Sequence, residues 1–169
     1  MDFEKIFPKI TDDFGYWFAG LTDGEGCFSI CEVADTAYKV SFMIRLRADD
    51  ISVLKDVSKT LGVGRIGITK GSPRKNGEKG NPIAQFWVSG RHELPKLVEF
   101  FERYHLRSKK HNDFNIWKLA VKEYAKRDYS RKKLECYQKS LQSGRSYNNQ
   151  VEVPSAVEAD DAQLIFFAC

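Results

Sequence analysis

The sequence predicts an α+β fold in which a four-stranded antiparallel sheet carries helices on one face. Apolar residues alternate with polar ones in the runs 40–46, 66–68 and 86–88, which is the period of half-buried strands. Segments with helical apolar spacing lie before, between and after these runs, which gives the order αββαββα. The 169 residues, 42% hydrophobic and 30% charged, suffice for one domain with a substantial core.

The first helix of this order ends in the segment 18–26, Phe-Ala-Gly-Leu-Thr-Asp-Gly-Glu-Gly. Asp12 or Asp13 is predicted to be its N-cap, since a short acidic side chain accepts hydrogen bonds from the first helical amides. Gly20 and Gly24 are four residues apart and therefore lie on one side of the helix. The missing side chains allow another backbone to come very close there.

Two acids, Asp23 and Glu25, fall at the C-terminal end of this helix. That end carries partial negative charge, so anions there are disfavoured unless a cation binds beside them. The pair therefore indicates a cation site. The alternative is that the segment is only a helix stop that leads into a hairpin turn.

Two strand pairs follow, and each presents polar side chains on the face turned away from the core. In the second strand, residues 40–46 alternate so that Arg45 and Arg47 lie side by side on this free face. Asp49 and Asp50 are predicted to cap the next helix, which Gly62 ends. In the second pair, the isoleucines of 66–68 are predicted to face inward. The long basic loop 70–80 joins its two strands and suits a phosphate clamp.

Three helices are predicted after the sheet, at about 91–104, 108–126 and 129–141. The last is strongly basic, whereas the stretch 142–169 is acidic and ends in a short apolar tip. We therefore divide the chain into a domain at 1–141 and a tail at 142–169. The net charge is +4 overall, and +7 for residues 1–141, with 26 basic and 19 acidic residues.

Residues 18–26 resemble the LAGLIDADG motif of intron- and intein-encoded homing endonucleases, and the element order is similar to that family's core over roughly residues 12–125. The resemblance implies that two motif helices pack through Gly20 and Gly24. It also implies that Glu25 binds a divalent metal beside the scissile phosphate, with the Gly24 carbonyl facing the metal and Asp23 supporting the helix end. The implied cofactor is Mg²⁺, which Ca²⁺ replaces in complexes that do not cleave.

The resemblance further implies a homodimer, because this chain carries one copy of the motif. Such a dimer would cleave both strands of a long, near-palindromic double-stranded DNA site bound across the sheet. The DNA-binding residues implied on the free face and the basic loop are Ser29, Cys31, Lys39, Ser41, Met43, Arg45, Arg47, Arg65, Thr69, Lys70, Arg74, Lys75, Lys79, Gln85 and Trp87.

The family often carries a catalytic lysine before the helix that follows the second strand pair, and Lys109 stands at the matching position. The alternative for Lys109 is a solvated lysine at a helix start. At the end of the second strand, Ala48 stands where many members have a water-ordering glutamine. We expect Arg47 or Asp49 to take over that role.

Two other functions remain open from the sequence: an RNA-binding maturase that acts on its host intron RNA, and a DNA-binding regulator whose motif helix serves only for dimerisation. The four cysteines and three histidines have no zinc-finger spacing, which argues against a structural zinc site. We see no N-terminal signal segment and no apolar run long enough to span a bilayer. These features predict a soluble intracellular protein without a membrane partner.

Overall fold

The predicted α+β architecture is confirmed by the computed structural model, which describes residues 3–33, 37–71 and 80–145. Four strands form one antiparallel sheet in the order β1-β2-β4-β3. The strands are β1 Gly26–Val33, β2 Ala37–Arg47, β3 Arg65–Thr69 and β4 Ile83–Val88. Strands β1 and β3 form the two edges, and β2 and β4 lie between them with side chains such as Phe42, Ile44 and Phe86 fully buried.

Six α-helices accompany the sheet in the described residues: α1 Phe3–Ile6, α2 Asp12–Glu25, α3 Ile51–Leu61, α4 Leu94–Arg103, α5 Lys110–Tyr124 and α6 Arg131–Ser143. Helix α1 was not predicted from the sequence. The last helix continues two residues beyond the boundary at 141, and Arg145 donates a hydrogen bond of 2.7 Å to the carbonyl of Phe28 in β1. Residues 142–145 thus pack with the domain, whereas the rest of the tail lies outside the described residues.

Four phenylalanines hold α2 against the sheet. Phe18 of α2, Phe28 of β1, Phe42 of β2 and Phe101 of α4 are each fully buried. Their aromatic rings form four contacts, Phe18–Phe42, Phe42–Phe28, Phe28–Phe101 and Phe101–Phe18, with centroid distances of 5.2 to 6.3 Å. Burial of each side chain contributes roughly 1.5–3 kcal/mol. This cluster fixes the orientation of α2, so that its C-terminal residue is placed where β1 begins.

The helix starts differ from the sequence prediction. Thr11, rather than Asp12 or Asp13, is the N-cap of α2, and its hydroxyl accepts a hydrogen bond of 3.3 Å from the amide of Phe14. Asp12 instead accepts a hydrogen bond of 2.8 Å from the Tyr104 hydroxyl. The tertiary partner thus replaces the local cap.

Further predictions concern the two ends of α3 and one side chain of β3. Gly62 ends α3 with a φ of +63°, as predicted. The side chain of Asp50 makes no capping hydrogen bond, because α3 is preceded by a short 3₁₀ turn, and Asp49 pairs with Arg47 instead. Ile68 was predicted to face the core but is 58% exposed, and it lies near the end of the edge strand β3.

Over the described ranges 3–33, 37–71 and 80–145, we find no helix with both the length and the apolar content needed to cross a membrane.

Candidate functional site

One side of α2 presents a glycine face, which we define as Trp17, Gly20 and Gly24. All three residues are exposed, and a Cβ atom built on either glycine would meet nothing within 4 Å. Trp17 is 45% exposed despite its large apolar ring. The described residues therefore leave the space beside the two glycines unfilled.

Glu25 is the last residue of α2, and its side chain is exposed. The chain turns directly from Glu25 into β1, and the amide of Gly26 bonds to the carbonyl of Thr22. A Cβ on Gly26 would lie 2.6 Å from the Thr22 methyl and 2.7 Å from its carbonyl oxygen, so only glycine fits this turn. The tight turn therefore places Glu25 at the junction of helix and sheet.

Asp23 turns away from the end of α2 and binds the segment that leads into α5. Its carboxylate accepts hydrogen bonds from the amides of Arg107 at 2.8 Å and Ser108 at 3.1 Å, and from the Ser108 hydroxyl at 2.7 Å. Burial alone would raise the pKa of Asp23, but these hydrogen bonds and the charge of Lys110 outweigh it and lower the pKa below 3.8. The ionised Asp23 therefore ties α5 to the motif helix.

Lys110 is the lysine that contacts the motif in this structure. Its Nζ donates to the carbonyl oxygen of Gly24 at 2.7 Å and to that of Asp23 at 3.0 Å. The ammonium charge of Lys110 lies at the C-terminal, negative end of the α2 dipole, where a cation is favoured. The Gly24 carbonyl, which we expected to face a metal, thus has an ammonium group as its neighbour.

From the sequence, Lys109 was predicted to be the catalytic lysine, and Lys110 was given no role. Lys109 precedes α5 and lines, together with Lys110, Asp113 and Arg145, a cavity of about 380 Å³ beside Cys27. Two consecutive lysines cannot be told apart by composition. Only the direction of the first turn of α5, which the Asp23 hydrogen bonds set, decides which of them points toward α2.

A groove of about 620 Å³ joins the end of α2 to the basic strand ends. Glu25 lies on one side of this groove, and Arg45, Arg47 and Asp50 line it further along. The guanidinium of Arg47 makes two hydrogen bonds to the carboxylate of Asp49, at 2.7 and 3.1 Å. This pairing raises the pKa of Arg47 and lowers that of Asp49.

The predicted DNA-contacting residues of β1, β2, β3 and β4 share one face of the sheet, which we call the free face. Alternation along each strand places them opposite the buried residues, such as Phe42, Phe86 and Val88, which are 0% exposed. Cross-strand pairing sets Ser29 beside Ser41, and Arg45 beside Gln85. The side chain of Gln85 donates a hydrogen bond of 3.1 Å to the hydroxyl of Thr69.

The remaining predicted DNA contacts fall in four places. Cys31 pairs with Lys39, and its sulfur lies 3.0 Å from the Ser29 hydroxyl. Arg65 pairs with Trp87. Lys70 is exposed at the start of the basic loop. The three predictions Arg74, Lys75 and Lys79 lie outside the described residues.

The donor set at the end of α2 fits one ligand of a metal site. Within the part of the chain that the structure describes, no three His, Cys, Asp or Glu side chains are grouped to hold an ion. Glu25 is an exposed carboxylate, which is the oxygen donor that Mg²⁺ and Ca²⁺ take in proteins. A complete site would thus need further oxygens from outside the described residues.

The family of this chain follows from its sequence match. Residues 18–121 match the family model described as LAGLIDADG endonuclease. The chain therefore belongs to the LAGLIDADG endonuclease family.

Individual relatives agree with this assignment. The probable intron-encoded endonuclease Cox1-I1b of Schizosaccharomyces pombe is 24% identical over 111 residues, which is 63% of this chain and 27% of the relative. The LAGLIDADG meganuclease I-AabMI bound to uncleaved DNA is 28% identical, with a TM-score of 0.66 over 86% of this chain and 50% of that one. The chain spans about a quarter of the first relative and half of the second.

A third protein is similar in fold along nearly its whole length. The homing endonuclease I-TnaI is 22% identical, with a TM-score of 0.54 over 75% of this chain and 97% of that one.

Proposed function

We propose that this chain is one subunit of a homing endonuclease that hydrolyses both strands of a long, near-palindromic double-stranded DNA site with the aid of Mg²⁺. The observation that carries the proposal is the end of α2. There an exposed carboxylate, Glu25, lies beside an unfilled glycine face and opens onto a groove lined by Arg45 and Arg47.

The glycine face supports a homodimer. Nothing in the described chain comes within 4 Å of a Cβ at Gly20 or Gly24, so a second helix can approach backbone to backbone. A second copy of α2 would bring a second Glu25 to the same place. Twofold symmetry of the protein then predicts twofold symmetry of the bound DNA.

The chemistry divides between the helix ends and the sheet. Glu25 of each copy would hold a divalent ion, which supplies Lewis-acid stabilisation of the phosphate and an acidified water when bound. Lys110 would place a positive charge near the scissile phosphate, where developing charge is stabilised electrostatically. Asp23 would keep Lys110 in place through the hydrogen bonds that fix the start of α5. The free face would hold the duplex in register.

Cleavage of a selected target by wild type and Glu25→Gln tests this proposal. Binding sites are first selected from randomised duplex DNA, and cleavage is then measured in Mg²⁺ and binding in Ca²⁺. We expect Glu25→Gln to lose cleavage and keep binding, since the amide removes the charge with little change in shape. Glu135→Gln, an exposed acid on α6, is the matched control and should cleave normally.

Other results would contradict the proposal. A Glu25→Gln variant that cleaves like the wild type would exclude Glu25 as the metal ligand. A wild type that binds its DNA site specifically but never cuts would support the regulator. Specific binding of intron RNA without any DNA cleavage would support the maturase.

A further inference from the structure

A row of soft, apolar side chains crosses three strands of the free face. Cys27 of β1 pairs with Met43 of β2, and Met43 pairs with Trp87 of β4. Cys27 is exposed, and the other two are half-buried although they lie on the face away from the core. Arg65 of β3 pairs with Trp87 and ends the row. We call Cys27, Met43 and Trp87 the apolar row.

Polar rows flank the apolar row on both sides. Toward the far end of β1 lie the paired hydroxyls of Ser29 and Ser41, and toward the end of β2 lies the pair Arg45 and Gln85. Successive rows are two residues apart, or about 7 Å along a strand. Adjacent rows therefore face different base pairs of a duplex laid on this face.

Local contacts fix the shape of the apolar row. A Cβ on Gly67 would lie 3.1 to 3.2 Å from the six-membered ring of Trp87, so the indole leans closely over this glycine. The Nε of Arg45 lies 3.2 Å from the sulfur of Met43 and donates to it. The guanidinium is thus held alongside the row, and the apolar surface is bordered by the cations Arg45 and Arg65.

The floor of a DNA major groove offers one apolar group to such a surface, the 5-methyl group of a pyrimidine. Thymine carries it, and so does 5-methylcytosine. We propose that the apolar row is a subsite that recognises a pyrimidine 5-methyl group, while the bordering arginines contact guanine edges or phosphates. This inference rests on the proposed function, because it assumes that DNA binds on the free face.

The same subsite discriminates against RNA. Uracil lacks the methyl group, and the major groove of an RNA helix is too deep and narrow for side chains to read. A methyl group transferred from water into an apolar contact is worth about fourfold in affinity. In a symmetric dimer each half-site contributes this factor once.

The experiment compares four bases at a single position. Binding sites are selected from randomised duplex DNA in Ca²⁺, and each pyrimidine preferred there is replaced in turn by thymine, uracil, 5-methylcytosine and cytosine. We expect one position at which thymine binds about fourfold better than uracil, and 5-methylcytosine about fourfold better than cytosine. Equal ratios in the two pairs would show that the methyl group, and not the hydrogen-bonding edge of the base, causes the preference.

A variant on the row assigns the effect to its side chains. Met43→Gln keeps the length of the side chain and makes it polar, so both ratios should fall to about one. Ser41→Ala, in the adjacent row, is the matched control: its affinity for all four duplexes should change by the same factor, because Ser41 also belongs to the DNA-binding face, and both ratios should stay near four. Melting temperatures establish that both variants are folded.

Two results would overturn the inference alone. Either the wild type shows no methyl effect at any selected pyrimidine, or Met43→Gln retains it. Failure of the proposed function looks different, since the selected duplex would then bind with its methyl preference but stay uncut in Mg²⁺. Absence of any sequence-specific DNA binding would refute both.

Discussion

Replacement of Gly20 by alanine should stabilise the single chain and weaken its self-association. Among the residues that the structure describes, the new methyl group meets nothing within 4 Å, and Gly20 lies in the middle of α2. Alanine in a helix interior is more favourable than glycine by about 0.8–1.0 kcal/mol. For a domain of this size that gain raises the melting temperature by roughly 2–4 °C.

The same methyl group should be harmful between two copies of α2. Overpacking of a closely packed contact costs about 1–3 kcal/mol, and symmetry introduces the methyl group twice. The dissociation constant of the dimer should then rise by at least about 30-fold, since each 1.4 kcal/mol is a factor of ten. Gly20→Ala should therefore have a higher melting temperature than the wild type but cleave DNA poorly.

Thermal melting at low protein concentration and sedimentation equilibrium over a concentration series measure the two effects separately. Gly15→Ala is the matched control on the same helix, because its Cβ would lie 2.3 Å from the Tyr104 ring within one chain. That variant should lower the melting temperature. If Gly20→Ala associates and cleaves like the wild type, the two helices do not meet at Gly20 and the reasoning is wrong.

Three further predictions concern single residues. Lys110→Met should lower the single-turnover cleavage rate by about 10²-fold or more with binding retained, whereas Lys109→Met should have a small effect. If Lys109→Met lowers the rate more than Lys110→Met does, Lys109 is the catalytic lysine. Thr22→Val should raise the free energy of unfolding by about 1 kcal/mol, because the buried Thr22 hydroxyl has no hydrogen-bond partner among the described residues. A lower free energy of unfolding in denaturant titrations would reveal a partner. Glu123 is buried and its pKa lies below 4.5, because Lys126 and a backbone amide bond to its carboxylate. Its stabilising effect is therefore present above pH 4.5 and lost as the pH falls through the lowered pKa, so Glu123→Gln should flatten the acid side of a melting-temperature profile.

Much of the fold follows from local patterns that tertiary structure leaves intact. The alternation in residues 40–46 and 86–88 predicted which side chains are buried, because a strand exposes only one face to the core. The acids of the motif fell at the end of α2 because Gly26 permits the turn there. In each instance the residues that decide the structure are neighbours in the sequence.

The failures concern residues whose partners are distant in the sequence. Thr11 caps α2 because Asp12 is engaged by Tyr104, 92 residues away. The contact of Lys110 with α2 was not predicted either, and it accompanies the hydrogen bonds from the amides that precede α5 to Asp23. Whether Lys109 or Lys110 acts in cleavage stays a prediction. Gly15 had no assigned role, although the ring of Tyr104 requires its missing side chain. No local spacing carries this information, because each contact depends on how α4 and α5 pack on α2.

The position of a calcium ion between two copies of α2 would show whether the two Glu25 carboxylates share a metal ion. A crystal structure with the selected DNA and Ca²⁺ should show an ion within about 2.3–2.6 Å of a Glu25 oxygen from each copy, with phosphate oxygens in the remaining positions. The two carboxylates would then lie about 5 Å apart across facing glycines. An ion held by one chain alone, or glycine faces turned away from each other, would contradict the account.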